Sequence, residues 1–196
     1  MKKRLLSILL VLLMALTLLP LGALADENSK CGESLTWELT AGILTIKGTG
    51  DMYDYSSADP APWSAKNNDI SEIIVLDGVT SIGDNAFHSC KELSMVTFMG
   101  GLTRIGSGAF AGCEVLVDID FPYNLETIGA NAFSECNGLM NVSIPDSIQS
   151  IGSQAFSCCE GLQSVYLPAS LTKIPDGIFT DCKQLSSVDI PDTVTE

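Results

Sequence analysis

Apolar positions along this chain return with a fixed step. Phe87, Phe110, Phe133, Phe156 and Phe179 are spaced by 23 residues without insertion or deletion. Ile82, Ile105, Ile128, Ile151 and Ile174 keep the same step, as do Leu93, Leu116, Leu139, Leu162 and Leu185, and then Val96, Ile119, Val142, Val165 and Val188. The unit reads T-x-I-G-x-x-A-F-x-x-C-x-x-L-x-x-V-x-I-P. A period of this length predicts a repeat solenoid with one coil per unit. A lone coil offers about six inward side chains worth roughly 10–15 kcal/mol, against about 1–2 kcal/mol of backbone entropy for every ordered residue. It cannot fold alone, whereas stacked coils cover one another and align like residues into ladders.

Within the unit, L-x-x-V-x-I alternates as a strand does and ends at Pro122, Pro145, Pro168 and Pro191, where a missing N–H stops the pairing. Each coil is expected to give one short strand to a parallel sheet. The A-F-x-x-C segment is too short for a long helix and reads as one tight or helical turn that drives Phe inward. Upstream, Leu35, Trp37 and Leu39 alternate, as do Leu44 and Ile46, with Ala41-Gly42 between them. That pattern predicts a β-hairpin, suited to cover the open N-terminal end of the stack. Trp37, Tyr53, Tyr55 and Trp63 would belong to this cap; the rival reading makes them a carbohydrate platform.

The ends of the chain change the picture. Lys2, Lys3 and Arg4 precede an apolar run from Leu5 to Leu19, followed by Pro20 and the small-residue site Ala23-Leu24-Ala25. Residues 1–25 read as a secretory signal peptide cut after Ala25, too short in its apolar run to span a bilayer. The expected organisation is leader 1–25, capping segment 26–71 and a repeat array 72–196 of five 23-residue repeats. Val194 is equivalent to Val79 and stands three residues into a sixth coil, so the array is expected to belong to a longer protein or to leave its last coil exposed. Loss of the leader leaves seven Lys and Arg against twenty-four Asp and Glu, a formal charge of −17. Such acidity disfavours nucleic acid and anionic membrane as partners and keeps an exported protein soluble.

The seven cysteines pose the chemical question. Cys90, Cys113, Cys136, Cys159 and Cys182 occupy one repeat position and are expected as buried, free ladder residues. Equivalent positions in stacked strands lie about 4.7–4.9 Å apart, wider than the ~3.8 Å between Cβ atoms that a disulfide prefers. Parallel side chains also do not converge on a metal. Cys31 and Cys158 stay unassigned, and Cys158 is off the ladder register. Free thiols on an exported chain suit a reducing or anoxic habitat.

The unit, as in "IGANAFSECNGLMNVSIP" and "IGSQAFSCCEGLQSVYLP", resembles the BspA-like bacterial leucine-rich repeats over roughly residues 72–196. The segment "LTWELTAGILTIKGTGDMYDY" followed by "APW" resembles the leading segment found before such arrays. Pro175 and Ile178 depart from the usual Gly and Ala, and Met99-Gly100-Gly101 from the proline-led turn. The resemblance implies a leucine-rich-repeat right-handed coil and an exported protein, secreted or at the cell surface, engaged in adhesion.

Recognition is expected on outward strand positions, which vary while the frame stays constant. These are Glu72 and Ile74, Met95 and Thr97, Asp118 and Asp120, Asn141 and Ser143, Ser164 and Tyr166, and Ser187 and Asp189. They should form two stripes suited to an extracellular protein or glycan, with neither catalysis nor a cofactor. A passive spacer that displays another domain is the alternative. A hydrolase is the weaker one: Asp118 and Asp120 have the separation of inverting-glycosidase acids, but an open sheet offers no cleft. Asp118, Asp120, Asn141 and Ser143 could supply oxygen ligands to calcium, although strands rarely wrap an ion. The sole histidine, His88, lies two residues from Cys90, a thiol expected to be inward and out of reach of substrate.

Overall fold

The computed structural model describes residues 29–195; the leader 1–25 lies outside the described residues. The first elements are β1 (Leu35–Thr40) and β2 (Ile43–Gly48), an antiparallel hairpin in which Trp37 faces Ile46 and Leu39 faces Leu44. Its two-residue turn places Ala41 at φ 51° and Gly42 at φ 83°, the doubly left-handed conformation that matches strand twist. The hairpin does more than cover the end. Strand β2 runs parallel to β4 (Glu72–Val75), with Leu44 opposite Ile73 and Ile46 opposite Val75. The cap thereby joins the sheet that continues through β6 (Met95–Phe98) to β8 (Asp118–Ile119). The same strand position recurs in β10 (Asn141–Ser143), β12 (Ser164–Tyr166) and β13 (Ser187–Asp189), which form a second parallel group.

A further sheet goes beyond the single strand per coil expected from alternation. Strands β3 (Gly50–Asp51), β5 (Val79–Ile82), β7 (Arg104–Ile105), β9 (Thr127–Ile128) and β11 (Ser150–Ile151) pair in parallel along the stack. Apart from β3, which belongs to the cap, they are the segments that end on the ladder isoleucines, mostly two residues long and too short to leave an alternating pattern. The turn carrying Phe is also paired between coils: the N–H groups of Gly108, Phe110 and Gly112 donate to the carbonyls of Ala130, Ala132 and Ser134 at 2.8–2.9 Å. Two left-handed residues per coil make this possible, one row running through Asn85, Gly108, Asn131, Gln154 and Gly177, the other through Ser89, Gly112, Glu135, Cys158 and Asp181. Cys158 is thus a turn residue, half-buried and unrelated to its neighbour's role.

The core is the set of ladders the period predicts. Phe87, Phe110, Phe133 and Phe156 are fully buried, with centroids of successive rings 5.2–5.3 Å apart. Trp63 continues the stack beneath Phe87 at 5.3 Å, and its indole N–H donates to the Ala86 carbonyl at 2.8 Å. With Ile70 buried one period before Leu93, the loop after the hairpin is a degenerate first coil. Tyr55 and Trp63 are therefore buried, which removes them from any carbohydrate platform; Tyr53 alone of the four aromatics is well exposed.

At the other end, Pro175 stands where Gly152 stands one coil earlier. The Gly152 N–H donates to the Ile128 carbonyl at 2.8 Å, and a proline has no such donor. The sheet that carries the ladder isoleucines stops at β11, and the Phe156–Phe179 separation widens to 6.3 Å. Phe179, Leu185 and Val188 are correspondingly only partly buried.

Candidate functional site

The face that carries the twelve outward positions is built by pairing in register, which sets like positions of successive coils side by side. Asn141 lies opposite Ser164 and Ser164 opposite Ser187, while Ser143 lies opposite Tyr166 and Tyr166 opposite Asp189. Eight of the twelve residues line one shallow depression of about 280 Å³: Asp118, Asp120, Asn141, Ser143, Ser164, Tyr166, Ser187 and Asp189. Its floor is the strand backbone around the buried Ile119, Val142 and Val165. The Ser164 hydroxyl donates to Asn141 Oδ1 at 2.6 Å, tying two coils together at the centre. Tyr166 is 46% exposed.

The remaining four positions lie outside this depression. Met95 is exposed and Thr97 half-buried. Ile74, expected outward and accessible, is 5% exposed. The register places it between Thr45 of the hairpin and Thr97, so the side chain is covered on the outer face by its neighbours without joining the core. The cap's entry into the sheet, invisible to the repeat, is the physical reason. Glu72 lies in the same row between Ile43 and Met95, and partial burial raises its carboxyl above the ordinary value.

A larger cleft, of about 490 Å³, opens between the cap loop and the first regular coil and is lined by Tyr55, Ser56, Pro60, Ser64, Asn67, Asn85 and His88, among others. No sequence signal pointed to it, because its walls come from segments about one turn apart that share no motif. Asn67 Nδ2 donates to the His88 carbonyl at 2.9 Å and Asn85 Nδ2 to the Tyr55 carbonyl at 2.8 Å, bonds that join cap to array. The amide N–H groups of both residues are engaged in that junction, and we place the candidate site on the sheet face.

The thiols answer the question raised by the adjacent pair. All seven cysteines are free. The ladder cysteines are more than small apolar fillers, since four of the five donate to the phenylalanine carbonyl of the coil before: Cys113 to Phe87 at 3.4 Å, Cys136 to Phe110 at 3.2 Å, Cys159 to Phe133 and Cys182 to Phe156 at 3.1 Å. Burial pushes the Cys90 and Cys136 thiols up to about 12. Buried neutral thiols are poor nucleophiles. A thiol reagent at neutral pH is expected to label Cys158 and Cys182, which are half-buried, and to reach the other five only after denaturation. Rapid labelling of Cys113 or Cys136 in the native protein, located by peptide mass mapping, would contradict the packing. The linkage sign follows: with folded values raised from 9.0 to about 12, the stabilising term is complete below pH 9 and declines as pH rises toward 12.

Among the described residues, catalytic geometry is not assembled. His88 Nδ1 lies 2.8 Å from the Ser89 hydroxyl, while Cys90 is fully buried. Asp118 and Asp120 stand exposed on an open face, without the enclosing apolar pocket that tunes a general acid. Among the described residues, no group of three or more His, Cys, Asp and Glu side chains is placed to hold a metal ion.

Comparison with known proteins agrees with this architecture. The BspA type leucine-rich repeat region, in six copies, matches residues 65–186. The crystal structure of a T. pallidum leucine-rich repeat protein is similar at 28% identity and a TM-score of 0.65, over 84% of this chain and 83% of that one. A leucine-rich cell surface protein from Faecalibacterium prausnitzii A2-165 is similar at 28% identity and a TM-score of 0.61, over 84% of this chain but 40% of that one. The pneumococcal vaccine antigen PcpA shares the fold at 21% identity and a TM-score of 0.60, over 83% of this chain and 42% of that one. This chain thus spans less than half the length of two of these relatives. No curated protein sequence matches it. Stacked phenylalanines, thiols capping the preceding coil and a match over most of the described residues lead to one assignment: the chain belongs to the BspA-type leucine-rich repeat family of bacterial surface proteins.

Proposed function

We propose that this chain is a secreted or surface-displayed binding module that recognises an extracellular protein or glycan through its sheet face. The observation that carries the reading is the gathering of eight variable, outward side chains into one depression on a frame whose inward residues repeat. A rigid scaffold carrying variable surface residues is how binding proteins commonly separate stability from recognition. The leader-like residues 1–25 and the description of the Faecalibacterium relative as a cell surface protein support export.

Probing a panel of matrix proteins and glycans with the mature chain tests the reading. A genuine hit is expected to weaken about tenfold or more when Tyr166→Ala and Met95→Ala are combined, since exposed aromatic anchors dominate such contacts. An unchanged affinity moves the site off this face, and a panel without hits favours a spacer that displays another domain.

A further inference from the structure

We propose that the depression on the sheet face takes an extended basic peptide lying across the strands, with two cationic side chains four residues apart. The inference rests on the sheet face being the binding surface and adds the chemistry of its occupant. Three carboxylates line the depression, from Asp118, Asp120 and Asp189, and no Lys, Arg or His does. Charge complementarity therefore favours a cationic partner here and repels an anionic one.

The spacing of the carboxylates is set by the coil repeat. Ser143, Tyr166 and Asp189 are register partners in successive strands, and Asp120 stands one period before Ser143. At about 4.8 Å per paired strand, two steps carry Ser143 to Asp189; β8 and β10 are not themselves paired, but their coils stack with Phe110 and Phe133 5.3 Å apart, which sets Asp120 about 15 Å from Asp189. An extended peptide rises about 3.3–3.4 Å per residue and turns alternate side chains to the same side, so residues i and i+4 stand about 13–14 Å apart. A cation at each of these positions meets a carboxylate at each end. The span between them, Ser143 and Tyr166, is uncharged, and the Ser164–Asn141 hydrogen bond lies in the row beside it. Tyr166, one coil before Asp189, offers a ring face to the second cation. A glycan would call for more aromatic surface than this depression presents.

The test titrates the mature chain with labelled ten-residue peptides of one Ser/Thr host carrying Arg-x-x-x-Arg, Arg-x-Arg, a single Arg or Glu-x-x-x-Glu, read by fluorescence anisotropy. The Arg-x-x-x-Arg peptide is expected to bind about threefold or more tighter than Arg-x-Arg, and the acidic peptide not measurably. Affinity should fall about tenfold from about 50 to about 300 mM salt, as expected for exposed charges within a Debye length. Asp120→Asn and Asp189→Asn should each weaken it about fivefold and together abolish the spacing preference. Both side chains are exposed, and an unchanged circular dichroism spectrum confirms the fold of the variants. Binding that ignores spacing, or that survives the double substitution, overturns the proposal as mere attraction to an acidic chain. If the peptides fail while a panel hit depends on Tyr166 and Met95, the basic occupant is wrong and the sheet face stands. A panel hit indifferent to both removes the face itself.

Discussion

Phe133→Ala is expected to lower the free energy of unfolding by about 3–5 kcal/mol, the range for removing a fully buried aromatic ring. Phe133 is fully buried and lies between Phe110 and Phe156 at 5.3 Å on each side, with interplanar angles of 5° and 6°. Phe121 meets it edge-on at 5.5 Å. The loss therefore removes three ring contacts as well as the apolar area. Because each coil is stabilised by its neighbours, a lesion at the middle should also weaken the coupling between the two halves. Urea denaturation followed by circular dichroism should show an earlier midpoint and a broader or split transition. Phe179→Ala is the comparison: that ring is only partly buried and its neighbour is 6.3 Å away. Equal losses for the two variants would contradict a ladder in which stability passes from coil to coil.

Gly129→Ala adds a single carbon and is expected to cost about 3 kcal/mol or more, at or beyond the upper end for overpacking a closely packed site. A Cβ at Gly129 would lie 2.4 Å from the Ser107 nitrogen and 2.6 Å from the Gly106 carbonyl carbon. The clash is with backbone, so no side chain can rotate away. The coils cannot separate cheaply either, since the Gly129 N–H donates to the Ile105 carbonyl at 2.8 Å. Conformational preference is not the cause, because Gly129 is absent from the left-handed residues. Gly152 shows the same close approach, to the Ala130 nitrogen at 2.2 Å. Thermal melts of Gly129→Ala and of Ser143→Ala, an exposed control, would measure the effect. A Gly129→Ala variant melting within a degree or two of the parent would mean that adjacent coils are farther apart than the structure places them.

The two experiments probe features with different visibility in the sequence. The phenylalanine ladder was legible because five identical residues at one step require one environment repeated five times. The glycine row was legible as a position, in I-G-x-x-A-F, but its cause was not: a missing side chain signals equally a turn or a close contact. Trp63 escaped the alignment because it stands 24 residues before Phe87, and Asn67 occupies the position that Cys90 holds one coil later. The aromatic character of the stack survived there while the motif did not. The departures at Pro175 and Ile178 were visible from the start, yet only the structure shows that they end one sheet and loosen the last pair of rings.

The candidate face divides along the same line. Alternation within L-x-x-V-x-I placed Asp118, Asp120, Asn141, Ser143, Tyr166, Ser187 and Asp189 outward, and all seven are exposed. Alternation also assigned Ile74 to that face but could not foresee its burial, which depends on the hairpin strand that packs alongside.

From the sequence alone came the period, the ladders, the hairpin and the side of each strand that meets solvent, because these follow from local spacing and from the need of every coil to bury the same residues. Tertiary structure alone decided which outward residues are covered, which acceptor each thiol finds and where the carboxylates gather. Those depend on distances between segments of neighbouring coils, and a repeat specifies that coils stack without specifying what each surface touches once they have.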